Sequence, residues 1–312
     1  MGFLHLLENI RCGFLDALFL VITALGEEMA FMAVAVIVFW CISKKDGYYI
    51  LSVGFVGTTI NQFLKLVFRI PRPWVLDPDF SAVEGAVPEA QGYSFPSGHT
   101  QNAVGTFGGI AFLAKKNWLK IVGICLCVLI PFSRMYLGVH TPLDVGVSII
   151  IALILIFAVK IVIDKAYDTP YGMYIFLGGM LVLSIGHLLF VELYQFPADI
   201  DPHNYESGLK NAYTLLGALL GMLVAYPLEK KYINFDVSGK WYTQVIKCAV
   251  GLGLLVGLKE FLKLPLEALF PALTVARAIR YGLLVIFAVV VYPSTFKYFK
   301  MFEEQVVTRL EK

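Results

Sequence analysis

Apolar residues along this 312-residue chain come in long unbroken runs, separated by short polar stretches, rather than in strict alternation or a heptad rhythm. The runs fall near 13–25, 29–43, 47–68, 98–114, 118–137, 143–163, 172–193, 208–227, 244–262 and 271–292. Segments of this length and apolarity predict membrane-spanning helices, because a backbone in hydrocarbon must satisfy its own hydrogen bonds. The first run is short for a bilayer core of about 30 Å, so it either spans or lies in the interface. The pattern predicts nine or ten spans, with no fixed-period repeat and no low-complexity tract.

Composition agrees: 58% of residues are hydrophobic and 15% charged, against about 45–50% and about 25% in soluble domains. An all-α, polytopic membrane helix bundle is the expected fold class. The net charge of +2 and the lack of any basic run longer than a pair argue against nucleic acid as a partner. Five cysteines, an odd number without CxxC spacing, make neither a disulfide framework nor a zinc site and read as small core residues. The N-terminus has no basic n-region and no small-x-small cleavage site, which predicts a mature segment rather than a removed signal peptide.

Loop charge predicts the orientation. Lys44 and Lys45, Lys115, Lys116 and Lys120, Lys165, Lys230, Lys231 and Lys240, then Lys297 and Lys300 occupy one set of loops. Glu27 and Glu28, Asp77 and Asp79, and the stretch from Glu192 to Glu206 occupy the other. The positive-inside rule makes the lysine set cytoplasmic, so the long 69–97 loop and the residues near 140 face outward.

Three polar clusters lie at span ends on that outer side. In the first, Pro71 and Pro73 end a helix soon after Lys65, leaving Lys65 shallowly in the membrane and Arg72 at its lip. Snorkelling toward headgroups explains either cation alone. The second is Pro96-Ser97-Gly98-His99 at a span start, where free N–H groups, the glycine and the serine hydroxyl suit an anion and His99 can pass a proton. A plain serine N-cap is the simpler account. In the third, Ser133-Arg134 precedes His140 and Asp144, and Thr141 to Asp144 matches a capping box with Pro142 at the first helical position. A carboxylate close to His140 would also fix its tautomer, as in hydrolase triads. Together the clusters place cations, two histidines, a serine and a helix N-terminus at one membrane depth, a set that suits phosphate without any metal or other cofactor.

The string Lys65-x6-Arg72-Pro73, Pro96-Ser97-Gly98-His99, Ser133-Arg134-x5-His140-x3-Asp144 resembles the three-part signature of the type 2 phosphatidic acid phosphatase superfamily, with all eleven positions filled. The resemblance covers roughly residues 10–165 and implies a six-helix phosphatase core over 1–165. It implies His140 as nucleophile forming a phosphohistidine, Asp144 orienting it and His99 as general acid. Lys65, Arg72, Ser97, Gly98 and Arg134 would bind the phosphate oxygens. About four further transmembrane helices would fill 166–312, and the strings 71–77 and 210–217 look loosely like segments of glucose-6-phosphatases and sphingosine-phosphate phosphatases. The implied activity is hydrolysis of a lipid phosphate or diphosphate at the outer face, with membrane lipids as partners and a bacterial plasma membrane as the expected location. A soluble sugar phosphate as substrate, or transfer of phosphate to another hydroxyl, are the alternatives.

Several residues stand outside the signature. Arg277 and Arg280, near Lys259 and Glu260, are candidates for a headgroup pocket or for pairs that hold the extension on the core. Asn61 and Gln62 either orient Lys65 or bond between helices. His187 reads as a packing histidine, and Asp199, Asp201 and His203 as solvated loop residues rather than metal ligands.

Overall fold

The computed structural model describes residues 1–270 and 272–310, with side chains through 303. Pro271, the expected start of the last span, lies outside the described residues. The described residues form helices and loops: α1 (Gly2–Asn9), α2 (Gly13–Ala24), α3 (Glu28–Cys41), α4 (Lys44–Phe68), the single turn α5 (Pro73–Leu76), α6 (Gly98–Ala103) and α7 (Gly109–Leu113). They continue with α8 (Asn117–Tyr136), α9 (Pro142–Tyr167), α10 (Gly172–Leu193), α11 (Pro202–Leu228), α12 (Trp241–Phe261), α13 (Lys263–Leu269), α14 (Leu273–Ile286) and α15 (Phe296–Leu310).

The all-α class holds, but the described residues contain six helical spans long and apolar enough to cross a membrane, or seven counting one bent pair. That is fewer than the nine or ten expected. The runs 13–25 and 29–43 are α2 and α3, bent by 47° as one broken span or re-entrant loop. The break falls at Gly26, where a Cβ would come within 2.7 Å of the Ile130 side chain and 3.2 Å of the His99 carbonyl. The run 98–114 is divided by a π-turn over Val104–Gly108 between α6 and α7. The sixteen helical residues 98–113 rise only about 24 Å. The run 244–262 forms α12, which carries Lys247, Lys259 and Glu260 and is not among the apolar spans.

The chain divides into two compact units, one of residues 1–35, 49–165 and 189–211, the other of 36–48, 166–188 and 212–312. In the first unit α9 shows the lipid-facing logic. Ile150, Ile154, Phe157 and Ile161 are each more than half exposed, while Ala152, Ile156, Val159 and Ile163 on the other side are buried. A continuous exposed aliphatic stripe of this kind fits hydrocarbon and is poorly suited to water. The short α1, which the run pattern did not predict, buries Leu4 and Leu7. Its His5 is clamped between Asp77, at 3.0 Å, and Glu8, at 3.1 Å.

In the second unit small residues set the helix spacing. Gly217 and Gly221 of α11 face Ala278 and Gly282 of α14 so closely that a Cβ at Gly217 would stand 2.0 Å from the Ala278 carbonyl, and one at Gly221 2.4 Å from that of Gly282. Such small-xxx-small seams let backbones approach where no water-driven force holds helices together. Arg277 crosses the same seam, its Nε donating to Thr214 Oγ1 at 2.7 Å. Trp40 donates its indole N–H to the Ala288 carbonyl at 2.8 Å and packs on Tyr292. The cysteines differ from expectation: Cys12 and Cys125 are exposed, and Cys41 and Cys248 are free thiols with sulfurs 3.2 Å apart.

Two outcomes follow from this packing. Gly217→Leu drives a side chain into backbone, and overpacking of this kind costs about 1–3 kcal/mol; thermal unfolding in detergent should show a lowered Tm, whereas Gly253→Leu, at a position with open space, should not. The hydrogen bond to Asp77, then that to Glu8, raises the His5 pKa above the ordinary value near 6.5. A raised pKa means the clamp is complete below about 6.5 and is lost as pH climbs through the raised value. Amide-exchange protection of residues 2–9, normalised to intrinsic rates, should fall between pH 6 and pH 9 and be flat over that range in His5→Gln.

Candidate active site

The three clusters converge within the first unit. Lys65 lies in the last turn of α4, buried, with its ammonium donating to the Tyr93 carbonyl. Arg72 leads into α5 and spends its guanidinium mostly on backbone: Nε donates to Gly92 O at 3.1 Å, Nη2 to Gln91 O at 2.8 Å and Nη1 to Val139 O at 2.9 Å. Nη1 also approaches His140 Nε2 at 3.0 Å. The same Nη1 is 3.5 Å from Nδ1, as is Ser94 Oγ; since an arginine only donates, the shorter contact favours Nε2 as acceptor and Nδ1 as the protonated nitrogen.

Nδ1 faces Asp144 Oδ2 at 3.5 Å. That carboxylate oxygen is held by the Ser94 hydroxyl at 2.6 Å and by the Thr141 amide at 2.7 Å. The Asp144 amide in turn donates to Thr141 Oγ1 at 3.3 Å, so the expected capping box forms at the start of α9. It coexists with the histidine contact. Ser94, fully buried, is the site residue that the motifs missed; its amide donates to Ile70 O at 2.8 Å, stitching the loop to the residue two before Arg72. The only hint in the sequence was its nearness to Pro96-Ser97.

Ser97 caps α6, accepting from Thr100 N at 3.4 Å, and its own amide donates to Asp144 O at 3.2 Å. Second and third clusters are thereby joined through backbone. A Cβ at Gly98 would meet nothing nearer than Asn61 Oδ1, at 3.8 Å, so this turn is open to close approach. Asn61, on the turn of α4 before Lys65, is buried here instead of bonding a neighbouring helix, and both its amide atoms lack partners among the described residues. His99 Nε2 is likewise buried without a partner among them.

Arg134 is fully buried; Nη1 donates to Thr23 Oγ1 at 2.9 Å, while Nε and Nη2 have no partner among the described residues. Its helix ends in a Schellman turn: Gly138 N donates to Met135 O and Val139 N to Arg134 O, both at 3.1 Å. Gly138 holds φ at +78°, the left-handed region that glycine enters without strain. This turn aims Val139 O at Arg72 and delivers His140 into the cluster.

The start of α11 also reaches this unit's site. Gly208 packs on Leu66, and a Cβ at Gly92 would lie 3.7 Å from Lys65 and 3.8 Å from Ser207 Oγ. Asp201, read as a solvated loop residue, caps α11 by accepting from Asn204 N at 2.8 Å. Arg277 and Arg280 belong to the second unit, where both lie over the Tyr281 ring and Arg280 is buried. His187 is buried in α10, as a packing residue would be.

Fold and site define a polytopic helical membrane protein with a histidine buried among guanidinium and ammonium groups. Residues 46–168 match the PAP2 superfamily, and residues 213–304 match the PAP2 superfamily phosphatase transmembrane extension. The chain belongs to the PAP2 superfamily. It is 36% identical to the undecaprenyl-diphosphatase BcrC of Bacillus subtilis over 36% of this chain and 55% of that protein. It is 26% identical to a probable sphingosine-1-phosphate phosphatase of Dictyostelium discoideum over 72% of this chain and 57% of that one. Phosphatidylglycerophosphatase B of Bacillus subtilis is 32% identical over 48% of this chain and 76% of its own length. The chain thus spans between half and two thirds of the length of the first two relatives. No solved structure gives a significant match.

The Schellman turn makes a direct test. An alanine at position 138 must adopt a left-handed backbone that costs L-residues about 1–2 kcal/mol, and its Cβ would lie 2.6 Å from Arg11 Nη2 and 2.8 Å from the Phe80 ring. Gly138→Ala is expected to lower the Tm in detergent, and Gly146→Ala, in open space within α9, to leave it near the wild-type value.

Proposed function

We propose that the protein is a membrane-integral, metal-independent phosphatase that removes phosphate from a lipid phosphate or diphosphate through a phosphohistidine at the outer membrane face. The observation that carries this reading is the orientation of His140, with Nδ1 toward Asp144 and Nε2 toward Arg72, inside a ring of buried cations.

In this mechanism Nε2 of His140 attacks phosphorus while the Nδ1 proton stays on the ring, so the phosphorylated imidazole is cationic and Asp144 stabilises it. The leaving oxygen departs in line and takes a proton from His99. Lys65, Arg72 and Arg134, with Ser97 Oγ and the Gly98 amide, neutralise the non-bridging oxygens, the work a divalent metal does in other phosphoryl-transfer enzymes. Water deprotonated by His99 then attacks the phosphohistidine, the N–P bond breaks, and His140 returns to its neutral form. The unpartnered Nε and Nη2 of Arg134 and the amide of Asn61 support this reading, since buried polar groups need partners and phosphate oxygens supply them. Ser94 acts as a positioning residue by fixing Asp144.

A lipid substrate is favoured over a soluble sugar phosphate because the three relatives carry names of lipid phosphatases or diphosphatases, and because the site lies at the ends of apolar helices. On this reading residues 1–165 carry the reaction and 166–312 supply additional membrane helices, with Arg277 and Arg280 as candidates for headgroup contacts. A bacterial plasma membrane with the site facing outward fits the loop lysines.

Phosphate release in detergent from a panel of phosphatidate, phosphatidylglycerol phosphate, sphingoid phosphate, polyprenyl diphosphate and glucose 6-phosphate tests the proposal. Wild type should release phosphate from at least one lipid, without an added acceptor and in EDTA. His140→Ala should be inactive, and Arg134→Ala about 10²–10³-fold slower. Ser94→Ala should lower kcat more than it raises KM. Activity in His140→Ala, or its loss in EDTA, would overturn the mechanism.

A further inference from the structure

Beyond the catalytic cluster, the second unit holds a cavity of about 360 Å³ between the end of α11, the start of α12 and the start of α15. None of its lining residues belongs to the three motifs. Its walls mix aromatic rings, Phe235, Phe296 and Phe299, with the polar side chains of Thr243, Lys247 and Lys297.

Thr243 and Lys247 are one helical turn apart on α12 and face the same way. Both are nearly inaccessible, at 4% and 3% exposure. Lys247 Nζ makes one hydrogen bond, to Trp40 O at 3.0 Å, and lies 4.4 Å from the centre of the Phe296 ring. Among the described residues it has no carboxylate within ion-pair distance. Thr243 Oγ1 is buried with no hydrogen-bond partner among them. A buried ammonium with no carboxylate in ion-pair contact, beside a buried hydroxyl with no partner among the described residues, is an arrangement proteins rarely keep unless a ligand completes it.

The carboxylates at the cavity are already engaged. Asp236 accepts from the Ser238 amide at 2.9 Å, the Ser238 hydroxyl at 2.6 Å and Lys300 at 3.4 Å. Glu303 accepts from the Lys240 amide at 3.0 Å. The lining carries three lysines, Lys247, Lys297 and Lys300, against the two carboxylates Asp236 and Glu303, so its formal balance is positive. Lys240 at the N-cap of α12 makes no side-chain cap of its own, and the Glu303 carboxylate occupies its amide.

We propose that this cavity is a second, non-catalytic anion site that takes a phosphate group, with Lys247 Nζ and Thr243 Oγ1 as its floor and Lys297 at its mouth. The phosphate comes from a free phosphate or from the headgroup of a phospholipid, and the aromatic walls suit either the cavity's apolar contacts with a headgroup or exclusion of water from the ion pair. The site is independent of the catalytic proposal, because it needs neither histidine.

Calorimetric titration of the full-length protein in detergent with inorganic phosphate provides the test. Two classes of site are expected in wild type, one removed by Arg134→Gln and the other by Lys247→Met. Lys247→Arg should keep the second class. Thr243→Val, which preserves volume and removes only the hydroxyl, should weaken it about tenfold, and it stands as the test should Lys247→Met not fold. The lipid arm uses native mass spectrometry of His140→Ala after equilibration with phosphatidylcholine vesicles with and without phosphatidylglycerol. Phosphatidylglycerol retained by that protein and lost on adding Lys247→Met assigns a headgroup, and phosphate binding alone assigns a free anion. Neither ligand responding to Lys247→Met or Thr243→Val would overturn the proposal, whatever the fate of phosphate release.

Discussion

Burial of positive charge against backbone carbonyl groups is the constraint on which the first unit depends. Lys65, Arg72 and Arg134 are all at most 7% exposed, yet Asp144 is the carboxylate that stands among them. None of the three cations has a carboxylate within ion-pair distance among the described residues, although Glu27 and Glu89 act on Arg134 from farther away, so ion pairing does not account for their burial. Arg72 solves its share by donating to three main-chain carbonyls, at Gln91, Gly92 and Val139, and Lys65 by donating to that of Tyr93. Those carbonyls lie in the long connection after α5 and in the turn after α8. The same bonds that make the cations tolerable therefore fix the two loops that carry Ser94, Ser97 and His140.

Backbone also joins the pieces. Ile70 O holds Ser94, Asp144 O holds Ser97, and the Thr141 amide holds the Asp144 carboxylate. The second and third motifs are joined directly through Ser97 N and Asp144 O, and the first is tied to the loop at Ser94 through Ile70 O and to the third through Arg72 and Val139 O. The site is rigid for that reason rather than through one dominant contact.

Much of this was legible in the sequence, and the reasons differ by residue. The signature residues could be found because their chemistry is unusual in apolar surroundings: a lysine, two arginines and two histidines at span ends stand out. The Asp144 capping box was readable because it is local, spanning four residues. Ser94 was not, since its role arises only when the 69–97 loop folds onto the start of α9. The described residues hold fewer long apolar helices than the runs suggested, because apolarity sees neither the close approach that breaks the chain at Gly26 nor the π-turn between α6 and α7. The seam of Gly217 and Gly221 against Ala278 and Gly282 escaped for a related reason: small residues announce themselves only once the partner helix is known. Lys247 was hidden by its apolar neighbours in a run that read as an ordinary span.

The Schellman turn gives the third motif a ruler. Arg134 supplies the carbonyl that closes the turn, Gly138 reverses the chain, Val139 supplies both the closing amide and an acceptor for Arg72, and His140 is the first residue past it. The five residues between Arg134 and His140 thus end the helix, cap it and turn the chain back. Sequence drift can alter the letters inside that interval far more easily than its length. Each added or deleted residue would shift which carbonyl Arg72 meets and which way the imidazole points, so the interval between the two residues is itself part of the geometry of the cluster.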